Sequence, residues 1–503
     1  MGQFNEYAYV YALKLILLAS LKRNLVYNYI LSASQVLLPI VSIPYVSRIL
    51  TPEGIGRVSF IDSFTYYFIT IAEFGMVVYG MREIARHRDD REARGKLVSE
   101  LLMLHVVTSA ITLFLYAIAV FFAWKHIHDI RLLLFSLSYL LVNFFACEWY
   151  FLGMEQFRYI TLRSLVTRGL GLVSIFILIK QPEDYYLYYG IIAGAAVLNS
   201  LGNIYYLFKS VPVSFKKVNW KKHIAHTQFI WFICLTDGVT LLLDNVFLQL
   251  MSTAVAVGYY AFSMKIVRSS TVLLTDSLIV FFPRIVTLIK EGNKAQLQAV
   301  ISRNSQFLIF FAVPLCAGIF LLAEPLIAIF LGPQFMPVVS DIRILALFPL
   351  LRTCNLFLSK QVLIAWGKEK LYLRSSIAGS LAFIVLSLLL SRYWADVGAC
   401  CAIVAAEVTT LVINYYYARR VAGELQLFET KELSHAFGSA LVFIPVIWGI
   451  QQLAQAPLLV LLLSIAACIV VYGLVQFFVM RNHFAVIVWE AVKRKSLQTI
   501  YNN

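Results

Sequence analysis

Apolar runs of about 20 residues, separated by short polar connections, follow one another along nearly the whole chain. A helix needs a run of this length to cross the hydrocarbon layer of a bilayer. The pattern therefore predicts an all-α polytopic membrane protein with about fourteen transmembrane helices. The predicted spans are residues 26–47, 58–81, 98–122, 132–152, 160–179, 186–208, 225–250, 256–281, 304–323, 338–364, 373–391, 395–418, 434–451 and 457–480.

Lysine and arginine are concentrated in every second connection, including residues 82–96, 209–222 and 284–303. Cytoplasmic loops of membrane proteins carry such an excess of positive charge. The intervening connections are short and poor in cations. Because the number of spans is even, both termini are predicted to lie on the cytoplasmic side.

The composition excludes several function classes. Apolar residues make up 60% of the chain and charged residues 14%, compared with roughly 45–50% and 25% in soluble domains. The net charge of +15 is spread over many loops, so we expect no nucleic-acid partner and assign the positive loops to anionic membrane lipid. The loops leave no room for an extramembrane catalytic domain, and we find no Walker-type loop or metal-ligand set. The protein is therefore predicted not to be an enzyme and to have no metal.

A weak internal repeat links the two halves of the chain. Residues 51–60 align with residues 253–262 through Thr51/Thr253, Gly56/Gly258 and Phe60/Phe262, and residues 152–156 echo residues 366–370. Parallel repeats are typical of transporters whose substrate site lies where the repeats meet. Chance similarity between apolar sequences is the alternative interpretation.

The repeat predicts two lobes of about six helices each, related by a pseudo-two-fold axis, with two extra C-terminal helices. The predicted domains are an interfacial N-terminal segment (1–25), an N-lobe (26–208), a basic cytoplasmic linker (209–224), a C-lobe (225–420), two further spans (433–480) and a cytoplasmic tail (481–503).

Several helix-end motifs resemble those of Wzx-type flippases of polysaccharide (O-antigen) repeat units, members of the MOP superfamily. These motifs are Pro44–Gly56 at the first hairpin, Glu73–Ala85 closing span 2, Glu148–Glu155 closing span 4 and Phe282–Ile285 closing span 8. The resemblance implies two lobes around a cationic cavity in the bacterial inner membrane. It implies that the substrate, an oligosaccharide on undecaprenyl pyrophosphate, is moved from the cytoplasmic to the periplasmic leaflet.

Such cargo needs cations that replace water around its pyrophosphate, and arginine is well suited because its donors are forked. Lys265 and Arg268 are three residues apart and share one face of span 8. Arg352 and Asn355 form a polar face on span 10. The candidate substrate-binding residues are Arg268, Lys265, Arg352, Arg48, Asn355, Asn28 and Gln35, the last two on a polar stripe of the bent first span. Pairing of these cations with acids that only hold helices together is the alternative.

Acidic residues in apolar surroundings are candidates for binding a coupling H⁺ or Na⁺, or for balancing cavity arginines. Asp62 and Glu73 are eleven residues apart on span 2, and Asp237 and Asp244 are seven apart on span 7, so each pair is expected to share a helix face. Glu148 and Glu407 are further acids of this kind. No cofactor other than the coupling ion is expected.

These observations predict an alternating-access flippase of lipid-linked oligosaccharides, with polysaccharide polymerase or chain-length machinery as partner. One alternative is a multidrug (organic-cation) antiporter of the same superfamily. The other is a polytopic polysaccharide polymerase or ligase, although such an enzyme would be expected to carry a large outward loop.

Overall fold

The computed structural model describes residues 26–27, 30–35, 37–127, 129–216, 218–454 and 456–482, which fold into helices without any β-strand. Within these ranges thirteen helices are long and apolar enough to cross a membrane. The α-helices are α1 (Ile30–Ile49), α2 (Pro52–Glu73), α3 (Met76–Arg86), α4 (Arg91–Ala123), α5 (Ile130–Val142), α6 (Glu148–Gly153), α7 (Phe157–Leu178), α8 (Tyr185–Ser210), α9 (Ile224–Leu242), α10 (Asp244–Met251), α11 (Ala254–Glu291), α12 (Lys294–Leu321), α13 (Ala323–Phe330), α14 (Val338–Leu345), α15 (Phe348–Leu356), α16 (Glu369–Ala422), α17 (Thr430–Leu441), α18 (Phe443–Leu453) and α19 (Pro457–Leu474).

The 54-residue helix α16 contains a sharp break and accounts for two of the predicted spans. Ala395 has φ 47° and ψ −125°, which lies outside the helical region. A Cβ on Gly398 would lie 2.3 Å from the carbonyl oxygen of Leu390, so the chain reverses direction here. With α16 counted twice, the thirteen long helices agree with the predicted number of about fourteen, and the predicted all-α fold is confirmed.

The seventh predicted span is interrupted. Helix α9 ends at Leu242 and α10 begins at Asp244, with Leu243 between them. The expectation that Asp237 and Asp244 share one continuous helical face is therefore wrong, because the two residues lie on different helices. Two π-helical stretches, Phe357–Ile364 after α15 and Val475–Val479 after α19, also interrupt regular geometry.

The structure divides into two compact units. The first contains the described residues up to Leu50 together with Arg57–Val246, and the second contains Thr51–Gly56 together with the described residues from Phe247 onward. The described residues between 209 and 246, which the sequence places in the linker and the C-lobe, thus belong to the first unit. The assignment of the lobes to an internal repeat stays a prediction.

Helix ends follow local sequence signals. The Asp90 carboxylate accepts a hydrogen bond from the amide of Ala93 at the start of α4, and Thr253 does the same for Ala256 at the start of α11. Asp129 precedes α5 and accepts from the backbone and the guanidinium of Arg131. The hydrogen bond from Arg131 holds the pKa of Asp129 below its usual range.

In the first unit, the residues of the helix-end motifs pack on one another. A Cβ on Gly80 would lie 2.8 Å from the Trp149 ring, and one on Gly153 would lie 2.7 Å from the carbonyl oxygen of Met81. Arg88 donates to the Gly153 carbonyl at 2.9 Å and pairs with Glu155. The motifs at the ends of spans 2 and 4 are therefore two faces of one contact, in which glycine permits close approach.

The basic linker is anchored to α4 in the same unit. Glu100, which is buried, accepts a hydrogen bond from Lys222 at 2.8 Å and lies 3.0 Å from His223 Nε2. The Tyr79 hydroxyl lies 2.8 Å from His223 Nδ1. These contacts fix the chain that enters α9 against α3 and α4.

Candidate functional site

A buried polar network surrounds Arg352 in the second unit. The Arg352 guanidinium donates to Glu407 at 3.2 Å, and the two side chains are 20% and 5% exposed. Asn355 donates to the same carboxylate at 2.7 Å and accepts from Asn414 at 3.2 Å. Ser375 completes the network by donating to Asn414. The network joins α15 to both halves of α16, so a polar face predicted as a substrate contact also holds helices together.

Burial distinguishes the two predicted residues of this face. Asn355 is buried, and its amide nitrogen donates to both the backbone and the carboxylate of Glu407. Arg352 is half-buried, with its side chain 20% exposed. The geometry favours a positioning role for Asn355 and leaves Arg352 as the group of this pair that a ligand can reach.

Lys265 and Arg268 lie on α11 in the second unit and are both half-buried. Each of them has an interaction partner. Their spacing places them on one side of a continuous helix, as predicted. A half-buried lysine and arginine in an apolar helix are costly unless they meet polar groups or water.

The other described candidates lie in the first unit. Gln35 and Arg48 are exposed on α1, and Asn28 lies outside the described residues. Asp62 and Glu73 are half-buried on α2. That the two acids share one face of the helix stays a prediction.

The two acids of the seventh span have different surroundings. Asp237, on α9, is half-buried. Asp244, 1% exposed, accepts from the amide of Asn245, whose side chain donates to Ser63 at 2.8 Å. Asp244 thus lies where the span is broken, next to a polar contact with α2.

Two interior arginines were missed by the sequence analysis. Arg163 is 11% exposed on α7 and pairs with Glu148 at 3.4 Å, and it also donates to Asn203. Arg168, one and a half turns further along, donates to Ser34 on α1 at 2.6 Å. Both arginines fall inside the predicted span 160–179. Their position within a span was the available signal, because a cation at membrane depth is a candidate functional residue, as Arg268 is.

A buried carboxyl group in the second unit was also missed. Asp341 on α14 is fully buried and accepts a hydrogen bond from Ser263 on α11 at 3.2 Å. Asp396 is the residue after Ala395, where α16 breaks. Asp341 lies four residues into the predicted span 338–364, so the available signal was an acid within a span.

Taken together, the described interior contains arginines that donate to glutamates. Guanidinium groups bind phosphate in the same forked manner as they bind carboxylate. An anionic ligand can therefore compete for Arg163 or Arg352 by replacing a carboxylate partner. The described residues contain no cluster of three or more potential metal ligands.

The sequence profile of a family described as polysaccharide biosynthesis protein matches residues 21–289, which is more than half of the chain. The chain belongs to the polysaccharide biosynthesis protein family. This finding confirms the resemblance drawn from the helix-end motifs.

Two curated relatives are matched by this chain over nearly their whole length, and a third over about three fifths of it. Two proteins provisionally named O-antigen transporters are each 23% identical to it: one from Shigella dysenteriae over 398 residues (77% of this chain, 97% of the relative) and one from Escherichia coli strain K12 over 410 residues (79% and 96%). An uncharacterised membrane protein of Bacillus subtilis strain 168, EpsK, is 25% identical over 316 residues (58% and 61%).

Solved structures show the same fold. The lipid II flippase MurJ in an inward closed conformation matches with a TM-score of 0.71 at 14% identity, covering 93% of this chain and 99% of MurJ. An inward-facing multidrug resistance MATE transporter of the MOP superfamily matches with a TM-score of 0.61 at 16% identity, covering 80% and 98%. The family member is thus a multi-pass membrane protein with a MOP-type fold.

Proposed function

We propose that this protein flips oligosaccharide repeat units carried on undecaprenyl pyrophosphate across the bacterial inner membrane by alternating access. The proposal is supported by family membership and by the names of its O-antigen transporter relatives. The observation that carries it is the set of half-buried cations within apolar helices, Lys265, Arg268 and Arg352. These groups suit a pyrophosphate that must leave water while it crosses the membrane.

An apolar groove is consistent with a substrate that carries a lipid chain. It has a volume of about 540 Å³ and lies between α12, α13, α18 and α19 in the second unit. All its lining residues are apolar or aromatic, glycine or cysteine, and they include Phe311, Ile465 and Tyr472. A polyprenyl chain needs such an uncharged surface while its pyrophosphate is bound elsewhere.

The test uses inverted membrane vesicles from a strain that lacks the gene and accumulates the lipid-linked precursor. The variant R268A/R352A is expected to translocate at least about tenfold more slowly than the wild type, because charge-assisted hydrogen bonds to the pyrophosphate are lost. R374A removes an exposed arginine at the start of α16 and is expected to keep the wild-type rate. Wild-type translocation by R268A/R352A, at matched protein levels, would contradict the assignment of these residues.

We further propose that the flipping cycle is coupled to H⁺ or Na⁺ at Asp62, Glu73, Asp237 or Asp244, and that no covalent chemistry occurs. Interior acids are the groups that bind coupling ions in membrane transporters. Translocation driven separately by a pH gradient and by a Na⁺ gradient would distinguish the two ions. If translocation is equally fast without either gradient, the direction of flipping is instead set by consumption of the product.

A multidrug antiporter is the second candidate, favoured by the structural likeness to a MATE transporter. The three interior cations of the second unit, Lys265, Arg268 and Arg352, would repel a cationic substrate. Export of an organic-cation dye from intact cells, compared with export by cells lacking the gene, separates this function from flipping.

A further inference from the structure

A second apolar groove lies on the other side of α12, within the second unit. It has a volume of about 570 Å³ and is lined by residues of α12, α14, α16, α17 and α18. Five large apolar side chains on its wall are strongly exposed, among them Phe320 (48%), Leu441 (65%) and Ile444 (52%). In a membrane-spanning protein, such a surface is covered by lipid chains.

One charged residue, Arg343, lines this groove. It lies on α14, five residues after Val338, the first residue of the helix. At 1.5 Å per residue, this places Arg343 roughly 8 Å from the end of the span, near the headgroup level of one leaflet. Under the predicted topology this is the periplasmic leaflet. Arg343 is exposed and forms no ion pair within the described part of the chain.

The two grooves beside α12 differ in one chemical respect. The groove of about 540 Å³ has no charged residue on its wall. The groove of about 570 Å³ has the Arg343 guanidinium and no acidic residue. The first is therefore suited to a chain without its own headgroup, whereas the second can hold a chain and an anion together.

We propose that the groove beside Arg343 binds one anionic glycerophospholipid of the surrounding bilayer. An acyl chain occupies the apolar wall between Phe320 and Ile444, and the phosphate accepts forked hydrogen bonds from Arg343. A zwitterionic lipid fits less well, because the wall offers no carboxylate for its ammonium group. The volume lies within the range of roughly 300–1,000 Å³ that is usual for small-molecule sites.

Because of the position of the groove, a bound lipid would contact several spans at once. Its wall is formed by α12, α14 and α16 on one side and by α17 and α18 on the other. A bound lipid therefore bridges the last spans to the rest of the second unit. This inference is independent of the transported cargo, since none of the residues assigned to the cargo lines the groove.

Native mass spectrometry of the purified full-length protein tests the site. Phosphatidylglycerol and phosphatidylcholine with identical acyl chains are added in equal amounts, and the bound fraction of each is measured. The wild type is expected to retain phosphatidylglycerol at least about tenfold better than phosphatidylcholine, and R343Q is expected to lose this preference. The control R392Q removes an exposed arginine beside the break in α16, away from the groove, and is expected to behave as wild type.

A second variant tests the contribution of the apolar wall separately from that of the charge. L441W keeps Arg343 but fills the groove, and is expected to retain less of both lipids. Thermal unfolding of each variant in phosphatidylcholine alone verifies folding, and wild-type melting temperatures are expected there. The proposal would be overturned if R343Q retained as much phosphatidylglycerol as the wild type. It would also be overturned if R392Q lost the lipid preference to the same extent as R343Q, or if the wild type retained polyprenyl phosphate better than phosphatidylglycerol.

Discussion

Arg352 and Arg163 are tolerated in the interior because each meets a polar acceptor. Arg352 pairs with Glu407, and Arg163 pairs with Glu148. A charged side chain at membrane depth is unfavourable by about 2.5–3.5 kcal/mol even on the lenient insertion scale, so the glutamates are needed whenever no anionic ligand is bound. Structural pairing and ligand binding are therefore compatible uses of the same arginine.

The Arg352–Glu407 pair gives a prediction at this scale. E407Q removes the negative charge but keeps the shape, so Arg352 retains a neutral acceptor and loses its counter-charge. We expect a loss of about 1–3 kcal/mol in the free energy of unfolding. The measurement is the melting temperature of the purified protein in one detergent.

A double-mutant cycle provides the control. In R352Q/E407Q both charges are absent, so much of the stability lost in E407Q should return. If the double variant is as unstable as the sum of its single variants, the two side chains do not interact as the distances indicate.

Sequence reasoning located single residues better than it located their partners. Lys265, Arg268 and Arg352 stand out because they interrupt apolar runs. Glu407 was equally visible as an acid in an apolar helix, but 55 positions separate it from Arg352. No spacing rule spans that distance, because the contact exists only after α15 and α16 pack together.

At the scale of elements, the starts of α2 and α11 meet at a pair of glycines. A Cβ on Gly56 would lie 1.7 Å from the carbonyl oxygen of Ala254, and one on Gly258 would lie 1.9 Å from that of Pro52. Both residues belong to the second unit. The match Gly56/Gly258 in the internal repeat thus has a physical reason, since each glycine lets the opposite helix start approach its backbone.

Replacement of Gly258 by alanine tests this contact. The added methyl group would overlap with the Pro52 backbone, which a side-chain rotation cannot relieve, so the helix starts must separate. We expect G258A to lower the free energy of unfolding by at least about 2 kcal/mol, measured as a shift in melting temperature. G56A is expected to have a similar effect.

Gly169 on α7 is the matched control, because no atom lies within 4 Å of its added Cβ. G169A should be neutral or stabilising by up to about 1 kcal/mol through helix propensity. Equal effects of G169A and G258A would show that the close contact has no energetic role.

The whole molecule allows a prediction of orientation. Since cations concentrate in alternate connections, Asp89 is expected in the cytoplasm and Gln181 in the periplasm. Both residues are exposed. We expect Q181C in intact cells to react with a membrane-impermeant maleimide, and D89C to react only after the membrane is opened.

The native protein is a suitable background for this labelling. Its seven cysteines are buried or half-buried, so their reaction with the reagent should be slow and is measured on the unmodified protein. Labelling of D89C in intact cells would show that the predicted orientation is wrong and that every span has the opposite orientation.

The sequence alone determined the class of fold, the approximate span boundaries and the presence of cations within spans. These properties follow from the bilayer, which demands apolar runs of a set length and places charges at its edges. Tertiary structure decided that α9 and α10 are separate, that Arg352 and Arg163 face glutamates, and that a groove beside Arg343 carries charge. Such features depend on which helices pack together, and hydropathy along a single chain contains no information about neighbours in space.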